Sequence, residues 1–253
     1  MSIIFGAQDA TVDYSVDGWG HLPALGPVSF QIEAGQFVCL VGPSGCGKST
    51  LVRLLAGLQA PSAGLVTINN ERITQPSVQV GLMSQEANLM PWRSVIENIA
   101  LPLELSGMSS SERGHAVNSI LPRLGLEEFG NAFPGELSGG MAQRVALGRV
   151  LVASPDALLL DEPFGALDAM TRERMGMDLL ALWSDLRPTV LMVTHSISEA
   201  VLLADRILIL SPRPGRIIAD LQIDLPRPRQ LSDTHSLRFG ELARQVRERI
   251  QQS

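Results

Sequence analysis

Phe37–Val41 is an unbroken apolar run with β-propensity, followed by GPSGCGKST and then LVRLLAGL. That order reads as strand, glycine-rich turn and helix. Gly64–Asn69 and Val78–Met83 read as further strands. From Ser94 to Leu124 the pattern turns helical, in VIENIALPLEL and then SSSERGHAVNSILPRLGL. Ser110 or Ser111 can cap the second of these helices, with Glu112 favourable near its positive end. Pro102 and Pro122 are expected to kink or end them. A further helix should start near Ser138 and run through MAQRVALGRVLVA. Ala157–Leu160 is a buried strand running into Asp161 and Glu162, and Thr171–Leu186 a helix. Thr189–Thr194 and Arg206–Leu210 are strands around a helix at Ser196–Ala204, and Ser236–Gln251 is a polar C-terminal helix.

Strands that alternate with helices predict an α/β fold with a mainly parallel sheet. Residues from about 86 to 153 are almost all helical and interrupt the alternation as an insert. The expected organisation is one domain over 1–253, with a core at about 1–85 and 154–225. The helical insert lies at about 86–153 and a helical tail at about 226–253.

Composition narrows what such a domain does. The 253 residues are 45% hydrophobic and 18% charged, which excludes a disordered chain. The net charge of −6 lacks the basic footprint of a general nucleic-acid binder. It also argues against electrostatic adhesion to an anionic membrane. Mean hydropathy is +0.17, slightly apolar, yet no run approaches the roughly 20 apolar residues of a membrane helix. The opening MSIIFGAQDATVDY lacks a basic n-region and a long apolar h-region, so no signal peptide is expected. Cys39 and Cys46 offer neither a disulfide framework nor zinc spacing, so a reduced, cytosolic setting is expected.

Gly42-Pro43-Ser44-Gly45-Cys46-Gly47-Lys48-Ser49, followed by Thr50, fits the phosphate-loop pattern G-x-x-x-x-G-K-S/T. Glycines let backbone N–H groups converge on phosphate oxygens, and the following helix points its positive end at the anion. Lys48 then reaches the β- and γ-phosphates, and the Ser49 hydroxyl ligates Mg²⁺. Cys46 reads as a small filler of the loop rather than a nucleophile. Asp161 and Glu162 close the strand LLLDEP at the edge where parallel sheets bind ligands. Asp161 suits Mg²⁺, directly or through water. Glu162 should point elsewhere because strand side chains alternate, and there it can polarise a water for attack on the γ-phosphate.

Leu137-Ser138-Gly139-Gly140-Met141-Ala142-Gln143 opens the helix after the insert, with Ser138 as its cap and two glycines that leave N–H groups accessible to an anion. This LSGGMAQ resembles the signature of ATP-binding cassette (ABC) ATPases, and its place between the phosphate loop and LLLDEP is the family order. The resemblance covers nearly the whole chain. It implies a P-loop NTPase core with an antiparallel β subdomain and the helical insert, with ATP and Mg²⁺ as cofactors.

By the same resemblance Gln85 is the glutamine that senses Mg²⁺ beside the membrane-domain contact, and Asp168 in ALD contacts the opposite subunit. His195 in LMVTHS is the switch histidine at the γ-phosphate. Tyr14 is the better match for the ring that stacks on adenine, and Trp19 the alternative. Ser138, Gly139 and Gly140 would complete the partner's site in a two-fold ATPase dimer. Plainer readings exist: Gln85 as a strand end, Asp168 as a helix cap and His195 as a structural histidine. Ser196 stands where many relatives carry Asp, and Gly148 where many carry Ala; neither is a phosphate-contacting position.

ALDAMTRERM, EAVLLADRILILSPRPGRI and DLPRPR resemble the import ATPases of the nitrate/sulfonate/taurine group, whose relatives also take up bicarbonate. SPRPGRI reads physically as a stiffened turn into an edge strand. The likeness implies integral membrane permease subunits gripped through Gln85–Trp92, where Leu89, Met90 and Trp92 cluster. It implies an extracytoplasmic solute-binding protein met indirectly, and a place on the cytoplasmic face of the inner membrane. An export or lipid-trafficking ATPase, or a non-transport ABC ATPase, uses the same cassette and stays open at this point.

Overall fold

The computed structural model describes residues 2–16 and 20–252. β3 (Phe37–Val41), β7 (Ala157–Asp161) and β8 (Thr189–Val193) are buried at every position. Their side chains feed two cores in alternation. Phe37, Cys39, Leu158, Leu160 and Met192 join one, while Val38, Leu40, Leu159, Leu191 and Val193 join the other. A strand covered on both faces loses its polar positions, which is why these segments read as solid apolar runs.

With β6 (Val80–Met83), β9 (Arg206–Leu210) and β10 (Ile217–Gln222) they form a six-stranded sheet ordered β10-β9-β3-β8-β7-β6. Every neighbouring pair is parallel except β9–β10, so β10 is the antiparallel edge that the SPRPG turn leads into.

A second, antiparallel sheet is ordered β2-β1-β4-β5, from β1 (Phe5–Val16), β2 (Gly20–Ile32), β4 (Ala63–Ile68) and β5 (Glu71–Arg72). It shares its core with α1 (Lys48–Leu55) and one face of the parallel sheet. The two long strands have no clean pattern in the sequence. β1 shifts register near Ala7, Ala10 and Val12, which breaks the period of two. β2 carries Pro23 and Pro27, tolerated because it is an edge strand. β4 ends before Asn69 because Asn69 and Asn70 take left-handed backbone in the turn to β5. β6 starts only at Val80, and Val78 is fully exposed.

Between β6 and β7, which pair side by side, the chain builds α2 (Val95–Leu105), α3 (Ser110–Leu124) and α4 (Gly139–Leu151). Two expectations change here. Ser109, not Ser110 or Ser111, caps α3, because only Ser109 lies three residues before Glu112 and closes a capping box with it. Pro102 and Pro122 do not end their helices: each sits in the last turn, where the missing N–H costs a single ladder bond. α5 (Ala169–Leu186) starts two residues earlier than expected because Asp168 caps it. α6 (Ile197–Leu203) and α7 (Leu237–Gln251) follow, capped by Ser196 and Ser236.

The segment PRPR acts as a strap across the sheet's helical face. The Arg227 guanidinium lies 4.2 Å from the Trp183 ring centre, with Arg187 at 4.2 Å as well. Arg227 also pairs with Asp205. Arg229 is only 3% exposed. It donates to the carbonyls of Val201, Leu202 and Ala204, the orphan acceptors at the end of α6. Burial and the neighbouring Arg227 lower its pKa to about 10, which leaves it charged at neutral pH. Arg229→Met should therefore leave buried carbonyls unpaired and cost about 2–4 kcal/mol of stability, read as a lower denaturation midpoint at unchanged slope. An unchanged midpoint would show that the strap contributes nothing.

Candidate functional site

Parallel strands end at one edge, and four loops leave the sheet there. The phosphate loop follows β3, Gln85 follows β6, Glu162 follows β7 and His195 follows β8. A cavity of about 290 Å³ lies among them, lined by Ser44, Gly45, Gly47, Lys48, Ser49 and Thr50. Gln85, Glu162, His195 and Tyr14 line it too.

The loop depends on its glycines where backbone crowds it. Gly47 has φ 103°, and a Cβ there would lie 2.8 Å from the Ala24 carbonyl oxygen. Lys48 is buried and its Nζ donates to the carbonyls of Gly42 and Pro43, both at 2.8 Å. Cys46 is buried as well, and burial raises its thiol pKa, so it fills space and is not a reactive thiolate. Tyr14 is half-buried; its hydroxyl donates to Gln59 Oε1 at 3.0 Å and lies 3.3 Å from Thr50 Oγ1. That anchors the ring at the cavity wall. Trp19 lies outside the described residues.

Glu162 stands at the centre. Its Oε2 accepts from Gln85 Nε2 at 3.1 Å and lies 2.7 Å from His195 Nε2. Its orientation has a different cause from the one expected. β7 ends at Asp161, and Glu162 adopts φ 52°, a left-handed backbone uncommon for a residue with a side chain. That strained turn, pinned by Glu162 N–H to the Val193 carbonyl, aims the carboxylate, rather than strand alternation.

Asp161 is 6% exposed, and its Oδ1 is buried without a protein partner. A buried carboxylate oxygen left unpaired is costly unless something else meets it. Ser49, Gln85 and Asp161 line one shared cavity of about 280 Å³. Their donor atoms are all oxygens of the kind a small hard cation takes.

The signature residues are placed elsewhere. Ser138 caps α4 and accepts from Met141 N–H at 3.2 Å. Gly140 packs against Leu167: a Cβ on it would come within 2.9 Å of Leu167 Cδ2. Ser138, Gly139 and Gly140 are not among the residues lining the cavity at Lys48. Asp168 is a helix cap, accepting from Thr171 N–H at 3.0 Å, the plainer of its two readings.

Several working residues carried no recognised role in the sequence. Gln143, inside α4, donates to the Gln85 carbonyl at 3.3 Å and accepts from Ala166 N–H at 3.0 Å. Arg149 binds the carbonyls of Ala87 and Asn88. α4 thus fixes both the Gln85 loop and the loop before Asp168. Glu199, on α6, accepts from the Thr194 hydroxyl at 2.6 Å and faces Arg172 at 3.6 Å. Arg172 in turn holds the Leu167 carbonyl. Their signal lay in spacing: Glu199 follows His195 by one helical turn, and Gln143 is the last letter of LSGGMAQ.

Comparison with known proteins gives the family and the fold. The profile described as ABC transporter matches residues 25–165, from β2 through Glu162. The chain belongs to the ABC transporter family. It is 48% identical over 202 residues to the taurine import ATP-binding protein TauB of Yersinia pestis, spanning 80% of this chain and 79% of that one. It is 47% identical over 207 residues to the nitrate import ATP-binding protein NrtD of Synechocystis sp., spanning 82% and 78%. Among solved structures it resembles the dimeric, post-hydrolysis ATP-binding cassette MJ0796 bound to ADP and Pi. There the TM-score is 0.80 and identity 32%, over 88% of this chain and all of that one. The fold is that of an ABC ATPase cassette.

Glu199 holds the turn that presents His195. Glu199→Ala should lower kcat about tenfold by misplacing His195, with ATP affinity changed less than about twofold. Glu199→Gln, which can still accept from Thr194, should recover most of the rate in steady-state ATPase assays. Equal loss in both variants would remove Glu199 from this role.

Proposed function

We propose that this chain is the ATP-hydrolysing, energy-coupling subunit of an ABC importer for a small solute of the nitrate, sulfonate, taurine and bicarbonate kind. The observation that carries the reading is one cavity lined by Lys48, Ser49, Gln85, Glu162 and His195 together. In this reading the loop Gly42–Ser49, through the N–H groups of its residues other than Pro43, cradles the phosphates together with Thr50, and Lys48 Nζ turns from its loop carbonyls to the β- and γ-oxygens. Tyr14 stacks on adenine. Glu162 takes a proton from a water that attacks the γ-phosphorus, and ADP departs as the P–O bond breaks. Gln85 and His195, both at Glu162 Oε2, hold that carboxylate and the γ-phosphate in line. Ser49, Gln85 and Asp161 hold Mg²⁺, which when bound supplies neutralising charge to the phosphates.

Because the signature lies away from Lys48 in its own chain, Ser138, Gly139 and Gly140 act on a second subunit's nucleotide, with Asp168 at the contact. The relative MJ0796 is described as dimeric, which supports a two-fold pair. The names of the relatives TauB and NrtD support import.

Among the described residues no helix is long and apolar enough to cross a membrane. In this reading attachment runs through integral permease subunits on the cytoplasmic face of the inner membrane, as the import names of the relatives TauB and NrtD support, with the solute-binding protein reached only through them. The docking face is the groove between α2 and α3, a cavity of about 590 Å³ with Trp92 at its mouth. Asn98, fully buried, binds Met90 twice and the carbonyls of Arg93 and Ser94, which fixes this loop. Of the apolar cluster, Leu89 packs onto the core, whereas Trp92 is left 71% exposed. A rigid loop holding out a large aromatic suits a partner helix.

Glu162→Gln should bind ATP normally, lower kcat by about 10²–10⁴ and accumulate as an ATP-bound dimer on size exclusion. Near wild-type turnover would remove Glu162 as the base. Trp92→Ala should keep ATPase activity in the isolated subunit yet lose co-purification with membranes when expressed with its permease. Retained co-purification would move the docking face elsewhere.

A further inference from the structure

The turn between β9 and β10 brings to the nucleotide cavity a cation that belongs to neither the phosphate loop, the Gln85 loop, the signature nor the His195 segment. Arg213 lines that cavity alongside Tyr14, Ala24, Gly45 and Lys48. Its Nε donates to the Gly45 carbonyl at 3.2 Å. Its Nη2 lies 3.9 Å from where a Cβ on Gly45 would stand. The guanidinium therefore lies across the outer face of the phosphate loop. It is exposed, and among the described residues no carboxylate pairs with it. The carboxylate that shares the cavity, Glu162, is engaged by Gln85 and His195.

The backbone carrying Arg213 is clamped. Gly26 N–H donates to the Gly215 carbonyl at 2.9 Å, and Gly215 N–H to Ala24 at 3.2 Å. Ser211 Oγ accepts from Arg216 N–H at 3.0 Å. A Cβ on Gly215 would run into the Cys46 carbonyl, so the turn touches the phosphate loop directly. The turn is thus held at a fixed place beside a loop built for anions, and among the described residues four of the five N–H donors of the Arg213 guanidinium make no hydrogen bond. A planar, permanently charged fork so placed is suited to phosphate oxygens.

We propose that Arg213 is a second cationic contact for the phosphate chain of the bound nucleotide, supplied by the same subunit, and that it acts on binding rather than on the chemical step. The proposal rests on the ATPase reading above. It deepens that reading by adding a residue outside the family profile, which ends at residue 165.

The test is isothermal titration of MgATP and MgADP into wild type, Arg213→Gln and Arg213→Lys, with steady-state kinetics beside it. The Gln variant should lose about tenfold in affinity for both nucleotides, raise KM by a similar factor and hold kcat within about twofold. The Lys variant should recover most of the affinity. Wild-type affinity should fall more steeply with salt than that of the Gln variant, which a purely structural role would not produce. Unchanged affinity in the Gln variant overturns the proposal. So does equal loss in both variants with a lowered melting temperature of the nucleotide-free protein, which would make Arg213 a brace for the Gly45 carbonyl. Failure of the ATPase reading would show differently: wild type would then bind nucleotide no better than Lys48→Ala.

Discussion

The site depends on the parallel ladder of β3, β8 and β7. Leu40 pairs with Val193, and Val193 with Asp161 across the next strand, so three chains end at one level. Hydrogen bonding sets that level, and burial on both faces holds it, because a slip by one residue would exchange every side chain between the two cores. The phosphate loop, Glu162 and His195 each begin within two residues of this line. Their separation is thus set by the spacing of strands, roughly 4.8 Å apart, rather than by flexible loops. A carboxylate can then stand within hydrogen-bond reach of both Gln85 and His195 without either loop having to find it.

Around this edge the remaining parts are tied by side chains. α4 is the main tie. Ser138 and the signature glycines open it, Gln143 in its middle touches the Gln85 loop and the Ala166 turn, and Arg149 near its end holds Ala87 and Asn88. The groove at Trp92 follows directly on the Gln85 segment. Hydrogen bonds from Arg149 and Gln143 thus give α4 a short route to the segment between Gln85 and this groove, and Gln85 in turn bonds Glu162. Arg172 and Glu199 make a parallel route, from the Leu167 carbonyl to the turn presenting His195.

The sequence was most legible where physics leaves few choices. Buried parallel strands must be solid apolar runs, and a phosphate loop must be glycine-rich, so β3, β7, β8 and Gly42–Ser49 could be read directly. Caps were legible when their box was read to the residue: Ser138 and Asp168 sit where expected, whereas α3 took Ser109 because Glu112 fixes the count. β1 and β2 were not legible as strands, because bulges in one and prolines in the other erase the period of two. Only the family resemblance implied that antiparallel sheet.

What the pattern could not show is how contacts across long sequence separations redirect chemistry. Glu162 was assigned its role on strand alternation, but its aim comes from a left-handed backbone that no residue type at that position announces. Arg213 shows the same limit from the other side. Its neighbours in sequence are prolines and a glycine, which advertise a turn and nothing more. It becomes a candidate ligand-binding group only because Gly215 lets the turn press onto the Cys46 carbonyl and Gly26 pins it to β2. Local sequence chose the turn; the packing of two sheets against one loop decided which cavity that turn would face.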